Sequence, residues 1–169
     1  NRVASTAWWK DMPDVQVQTP RDTYAADIAT ETLVSGTFGF SVTLIAACTQ
    51  HIYVVDFDTH TPTYVANPSS TFTVIPTAAA GLQLLLPGET AMPGNGIYPD
   101  GGKTGTPSNR SAGVQFTATV NLVDEFFNVR TDDNTTEVWL ETNDLYDVPP
   151  APQIFNAGVA YFTDTKLVT

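Results

Sequence analysis

Few residues in this chain are of types that do chemistry, and their spacing decides what each could do. Gly101 to Thr106 reads GGKTGT, which supplies the Gly-Lys-Thr of a phosphate-binding loop. The full pattern G-x-x-x-x-G-K-[ST] requires a glycine at position 97, where Ile97 stands, so the match fails. Nucleophilic catalysis needs a base beside a serine or cysteine, and only His51 and His60 could serve. His51 belongs to an alternating stretch, His60 to a turn, and neither accompanies a serine motif, so the chain reads as a non-enzyme. Paired carboxylates for glycoside chemistry could be drawn at will from 18 acids, which carries no information without geometry. Asp56, Asp58 and His60 alternate along DFDTH and would project to one side if the strand continued. A solvated acidic turn explains the same three. If a metal binds, oxygen ligands favour Ca²⁺, with Asp56 and Asp58 as first candidates and Asp124, Asp132, Asp133, Asp144 and Asp147 behind them. No other cofactor is expected. The single Cys48 cannot close an internal disulfide and reads as a small interior residue.

Aromatic residues offer a second kind of site. Trp8, Trp9, Phe126, Phe127 and Trp139 could stack on sugars if exposed. Trp139, flanked by Val138 and Leu140, is expected in the core. The adjacent indoles of Trp8 and Trp9 point to opposite sides of an extended chain, so at least one is expected in a contact with a neighbouring domain. Two glycosylation acceptor sequences, Asn109-Arg-Ser and Asn134-Thr-Thr, fall in expected loops.

The elements that must position these residues are strands. Of 169 residues, 42% are hydrophobic and 15% charged, enough to bury a core. The 18 acidic and 7 basic residues give a net charge of -11, which repels nucleic acid and anionic lipid. No apolar run reaches membrane-spanning length, so no membrane insertion is expected. The chain opens at Asn1 with no charged-then-apolar leader, as a processed or excised segment would. Period-2 alternation predicts strands at Val15–Gln18, Phe38–Ala46, His51–Asp56, Thr71–Ile75, Leu82–Leu86, Val114–Val123 and Glu137–Thr142. Turn chemistry separates them at Asp58–Pro62, Asn67–Ser70, Thr131–Asn134 and Val148–Pro152. Pro87–Gly113, dense in glycine and proline, reads as a long irregular stretch.

An internal repeat underlies this order. Tyr24 and Tyr146, Gly36 and Gly158, Phe40 and Phe162, and Thr43 and Thr165 each stand 122 apart (146 − 24, 158 − 36, 162 − 40, 165 − 43). VQVQT at Val15 answers VWLET at Val138, 123 apart. Residues 1–47 and 124–169 then correspond, and the chain starts and stops inside a repeat. Open strand edges are expected to find partners. One route is that the last strand, Tyr161 to Thr169, completes the sandwich of the next copy, a heterologous contact that builds filaments.

Gly81 to Val129 resembles the immunoglobulin-like tandem repeats of very large bacterial surface proteins of adhesin or stalk type. In that family an LQLLLPGE strand leads into a GKTGTP stretch and then AGxxFxxTVxxVDxxxN, strings that stand here from Leu82 to Asn128. LVSGTFGFSVTL at Leu33–Leu44 is similar to the family's LVAGT strand, and FNAGVAYFTDTKL at Phe155–Leu167 answers it more loosely. The sequence departs at Ala46-Ala47-Cys48 and over its first dozen residues. The resemblance implies an all-β chain of two consecutive immunoglobulin-like antiparallel β-sandwiches, 1–78 and 79–169, incomplete at the chain ends. It also implies an extracellular or cell-surface location and a structural role beside identical repeats, as a filament, stalk or adhesin unit. Trp8, Trp9, Tyr161, Phe162 and Leu167 are then the expected interface residues. A glycan- or surface-binding module is the alternative.

Overall fold

A computed structural model describes residues 13–25, 30–57 and 64–168. Among them there is no helix; the chain is all-β, with several small antiparallel sheets. It divides into two compact units, Asn1–Val74 and Ile75–Thr169.

In the first unit β1 (Asp14–Gln18) lies between β2 (Glu31–Thr32) and β4 (Tyr53–Asp56). Val15 stands opposite Glu31 on one side and Asp56 on the other. Val15 and Val17 are buried while Gln18 is exposed, the alternation of a strand with one apolar face. A second pair joins β3 (Thr49–Gln50) to β5 (Phe72–Thr73).

The second unit is built on β6 (Ala79–Leu85), β9 (Phe116–Asp124) and β12 (Val159–Thr165), with β9 central. As a central strand β9 buries residues on both faces. Ala118, Val120 and Val123 are buried, and so are Asn121 and Asp124. Ala118 and Val120 join Ala160 and Phe162 of β12, Phe155, and Val138 in one core. Val138 comes from β10 (Glu137–Val138), which pairs with β11 (Gln153–Ile154), so two sheets of this unit contribute to that core.

The stretch Pro87–Gly113 differs from its sequence reading. It holds a β-hairpin, β7 (Glu89–Ile97) paired with β8 (Asp100–Gly105), with a cis Tyr98–Pro99 bond at its tip. Its glycines are the reason it can pair. Gly96 and Gly101 face each other, and a Cβ on either would meet the other's Cα at 3.0 Å. The hairpin is tied to the sheet through polar groups: Gln83 Nε2 donates to Gly102 O at 2.6 Å, and Asn121 Nδ2 donates to Gln83 Oε1 at 2.9 Å. The rings of Tyr98 and Phe127 lie 5.7 Å apart. A side chain at Gly81 would collide with Tyr98, and one at Gly102 with Phe127.

Two further expectations are corrected. Phe38–Ala46 is in no strand, and Phe38 and Phe40 are exposed; its alternation is present, but no described residue forms a ladder with it. Trp139 is 61% exposed, because Val138 and Leu140 take the inward positions and alternation turns the residue between them outward.

Candidate functional site

The features that recur 122 residues apart are local devices, and each has its own chemistry. The first is a turn. Val34 and Thr37 exchange both backbone hydrogen bonds around Ser35-Gly36, whose φ angles are 54° and 77°. Asn156 and Val159 do the same around Ala157-Gly158, at 49° and 71°. Two positive φ values between bonded strand ends make the two-residue hairpin turn that matches strand twist.

The second is a carboxylate that gathers backbone N–H groups. Asp22, 2% exposed, accepts from Tyr24 (3.3 Å), Ala25 (3.0 Å), Ile45 (2.5 Å) and Ala46 (2.9 Å). Asp144 accepts from Tyr146 at 3.0 Å and from Val168 at 2.5 Å, groups 122 positions after Tyr24 and Ala46. The carboxylate clamps a turn to the far end of the segment beyond the two-residue turn, in both copies.

The third is strand register. Asp14 pairs with Thr32 and Val15 with Glu31; Glu137 pairs with Ile154 and Val138 with Gln153. The second set is the first moved along by 123 residues on one strand and 122 on the other.

The acidic residues considered for Ca²⁺ are placed as follows. Asp56 Oδ2 accepts the Tyr64 N–H at 2.8 Å; Asp58 and His60 lie outside the described residues. Asp124 is fully buried and accepts from the backbone of Thr77, Phe126 and Asn128 and from the Asn128 amide. Asp132 pairs with Arg130 at 2.6 Å, and that hydrogen bond holds its carboxyl below the usual aspartate range. Asp133 is lowered too, by the N–H groups of Thr135 and Thr136. Asp147 accepts the Thr142 hydroxyl at 2.8 Å. These carboxylates organise their own loops. Among the described residues no three His, Cys, Asp or Glu side chains gather as metal ligands.

Of the expected interface residues, Trp8 and Trp9 lie outside the described residues. Tyr161 is 58% and Leu167 37% exposed. Phe162 is corrected: at 1% exposed it belongs to the core of its own unit, because Ala160 and Phe162 pack with Val138 and Phe155 while Tyr161 between them faces out. The strand that carries it is paired with β9 along one edge, from Val159 to Phe162 and at Thr165. His51 stacks near Tyr53, ring centres 5.2 Å apart. Cys48 is free and half-buried.

Two clefts in the first unit had no sequence signal. One, of about 350 Å³, is lined by Pro13, Val15, Leu33, Val54 and Tyr64 among others. The other, of about 470 Å³, is lined by Phe40, Ile52, Tyr53 and Phe72 among others. Both are walled mainly by apolar side chains, with no convergent set of titratable groups.

Comparison of the chain with protein-family models, with curated proteins and with solved structures gives no match.

Proposed function

We propose that this chain is a structural repeat segment of an extracellular filament, stalk or cell-surface adhesin, assembled head-to-tail with identical neighbours from immunoglobulin-like sandwiches, and that it performs no catalysis. The observation that carries the reading is the recurrence, at one spacing, of the hairpin turn, the Asp clamp and the strand register. Independent domains of unrelated role have no reason to keep three separate devices in step. A stacked array does, because each unit contacts only its neighbours and the same solution serves every copy.

The measurement that tests it is the mass of the native polypeptide under denaturing, reducing conditions, set beside its assembled size by electron microscopy. A mass several times 18.2 kDa, or long assemblies of smaller chains, is the expected result. A monodisperse 18.2 kDa species that never assembles would sink the proposal.

A glycan-binding reading has one observation of its own: Trp139, Tyr146 and Tyr161 are 61%, 69% and 58% exposed, and exposed aromatic rings stack on sugars. Binding to immobilised polysaccharide that is lost in Trp139→Ala would favour it.

A further inference from the structure

The two copies of the repeated segment share their turn, their Asp clamp and their sheet register, yet differ sharply in burial. In the second copy Ala160 and Phe162 are 2% and 1% exposed. Their counterparts in the first, Phe38 and Phe40, are 38% and 43% exposed. The difference has one structural origin. Val159–Thr165 is laddered to β9, whereas no described residue ladders with 38–44.

We infer that residues 38–44 form a vacant strand position that accepts a β9-type strand from another repeat. The inference rests on the repeat reading above and names the partner of its open edge. The register follows from β12 and β9 by the 122-residue offset. Thr37 stands opposite the donor's Asn121, Phe38 opposite Val120, Gly39 opposite Thr119, Phe40 opposite Ala118 and Thr43 opposite Phe116.

Two independent observations support this occupant. The first is the void. In the second unit Val138 and Phe155 pack with Ala118 and Val120. Their counterparts, Val15 and Leu33, line the cleft of about 350 Å³, and Phe40, counterpart of Phe162, lines the other. Among the described residues the first unit therefore keeps counterparts of three walls of that core, spread over two clefts, and none of the β9 side chains. The second is charge. Thr37 to Gln50 contains no charged residue and neither does Gly113 to Val123, on a chain of net charge -11. Like-charged copies repel over most of their surface, and these two uncharged segments are where close backbone pairing brings no carboxylates together.

Strand addition recruits main-chain hydrogen bonds for affinity and alternate side chains for specificity. Here the specificity lies in small or branched inward residues at the donor's positions 118, 120 and 122. A charged or bulky strand would not seat against Phe38 and Phe40 in that register.

The test is amide hydrogen exchange on the full chain, alone and with a synthetic peptide spanning Val114–Asp124, and on a fusion that places a linked copy of Ile75–Val129 ahead of Asn1. Fast exchange at 38–44 in the chain alone, slowed about tenfold or more by either donor, is expected. A peptide carrying Thr119→Pro, which cannot continue the ladder, should give no slowing. Phe40→Asp in the full chain should abolish the protection as well; because Phe40 is already 43% exposed, its own unit tolerates the change. Unchanged exchange with both donors overturns the inference. So does protection in the chain alone that disappears when residues 1–12 are removed, since the position then belongs to the chain's own start. Neither outcome alters the mass and assembly of the native material, so the repeat reading stands or falls separately.

Discussion

Gly36 and Gly158 occupy the same place in the repeat and face different surroundings, which makes them a matched pair for measurement. Both have positive φ, 77° and 71°. A Cβ on Gly36 meets nothing within 4 Å, while one on Gly158 comes to 2.2 Å from Arg130 O. Gly36→Ala therefore carries only the left-handed backbone penalty, about 1–2 kcal/mol. Gly158→Ala adds a backbone collision and is expected to cost about 2–5 kcal/mol; urea unfolding of the two variants checks the ordering. Asp22→Ala removes the carboxylate that accepts from four N–H groups and should destabilise by about 2–4 kcal/mol, read from the same experiment. Gln50 is the opposite case. It is 1% exposed and its side-chain Nε2 and Oε1 have no hydrogen-bond partner among the described residues, so Gln50→Met should raise stability by about 1 kcal/mol. The clamp role of Asp22 and Asp144 was not legible in the sequence. An acidic residue before Tyr marks a turn, but its second set of donors comes from 23 or 24 residues further on, a distance no local pattern encodes.

At the scale of elements, alternation located β1 and β9 because each has apolar residues buried by its own unit, and it located β6 although Leu82 and Leu84 are 48% and 38% exposed and the buried residue there is Gln83. The same alternation in Phe38–Ala46 predicted a strand that the structure does not form, since a ladder needs a second strand and the pattern speaks only for one. The hairpin of β7 and β8 was hidden for a different reason. Glycine removes the side chains whose alternation would have announced it, and the same absence lets Gly96 and Gly101 approach closely. That hairpin has an acid-sensitive fastening at its base. The Glu89 side chain is 7% exposed and lies 2.7 Å from Lys103 Nζ. Burial acts to raise its pKa, but the hydrogen bonds from Lys103 and the Leu86 N–H outweigh burial and leave it lowered. A lowered folded-state pKa gives stability that is complete above the ordinary glutamate value and is lost as pH falls through the folded one. Lys103→Met should therefore lower the melting temperature at about pH 7, and the gap to the parent chain should narrow as pH falls below the ordinary glutamate value.

For the whole molecule, the repeat was the most informative thing in the sequence, because two of its four identities, Tyr24 with Tyr146 and Gly36 with Gly158, mark equivalent turns, while Phe40 and Thr43 lie in no strand and Phe162 and Thr165 lie in β12. What the spacing could not say is which copy possesses its full set of strands, since that depends on pairing partners and not on the residues that repeat. Charge acts at this scale. A chain of net charge -11 repels its own copies, so the head-to-tail contacts proposed above should strengthen as salt rises from about 20 mM to about 300 mM; sedimentation velocity across that range measures it. The duplicated segment also bears on how the chain reaches its native state. One β9 faces two candidates in the same polypeptide, Thr37–Thr43 and Val159–Thr165, that share a turn and a clamp. A refolding chain thus holds a built-in decoy, and the wrong choice closes a loop of about 75 residues in place of about 35, an entropic penalty that grows only slowly with length. The two candidates differ in side chains such as Ala160, small where its counterpart Phe38 is large, so divergence between the two copies of the segment bears on which of them β9 meets first.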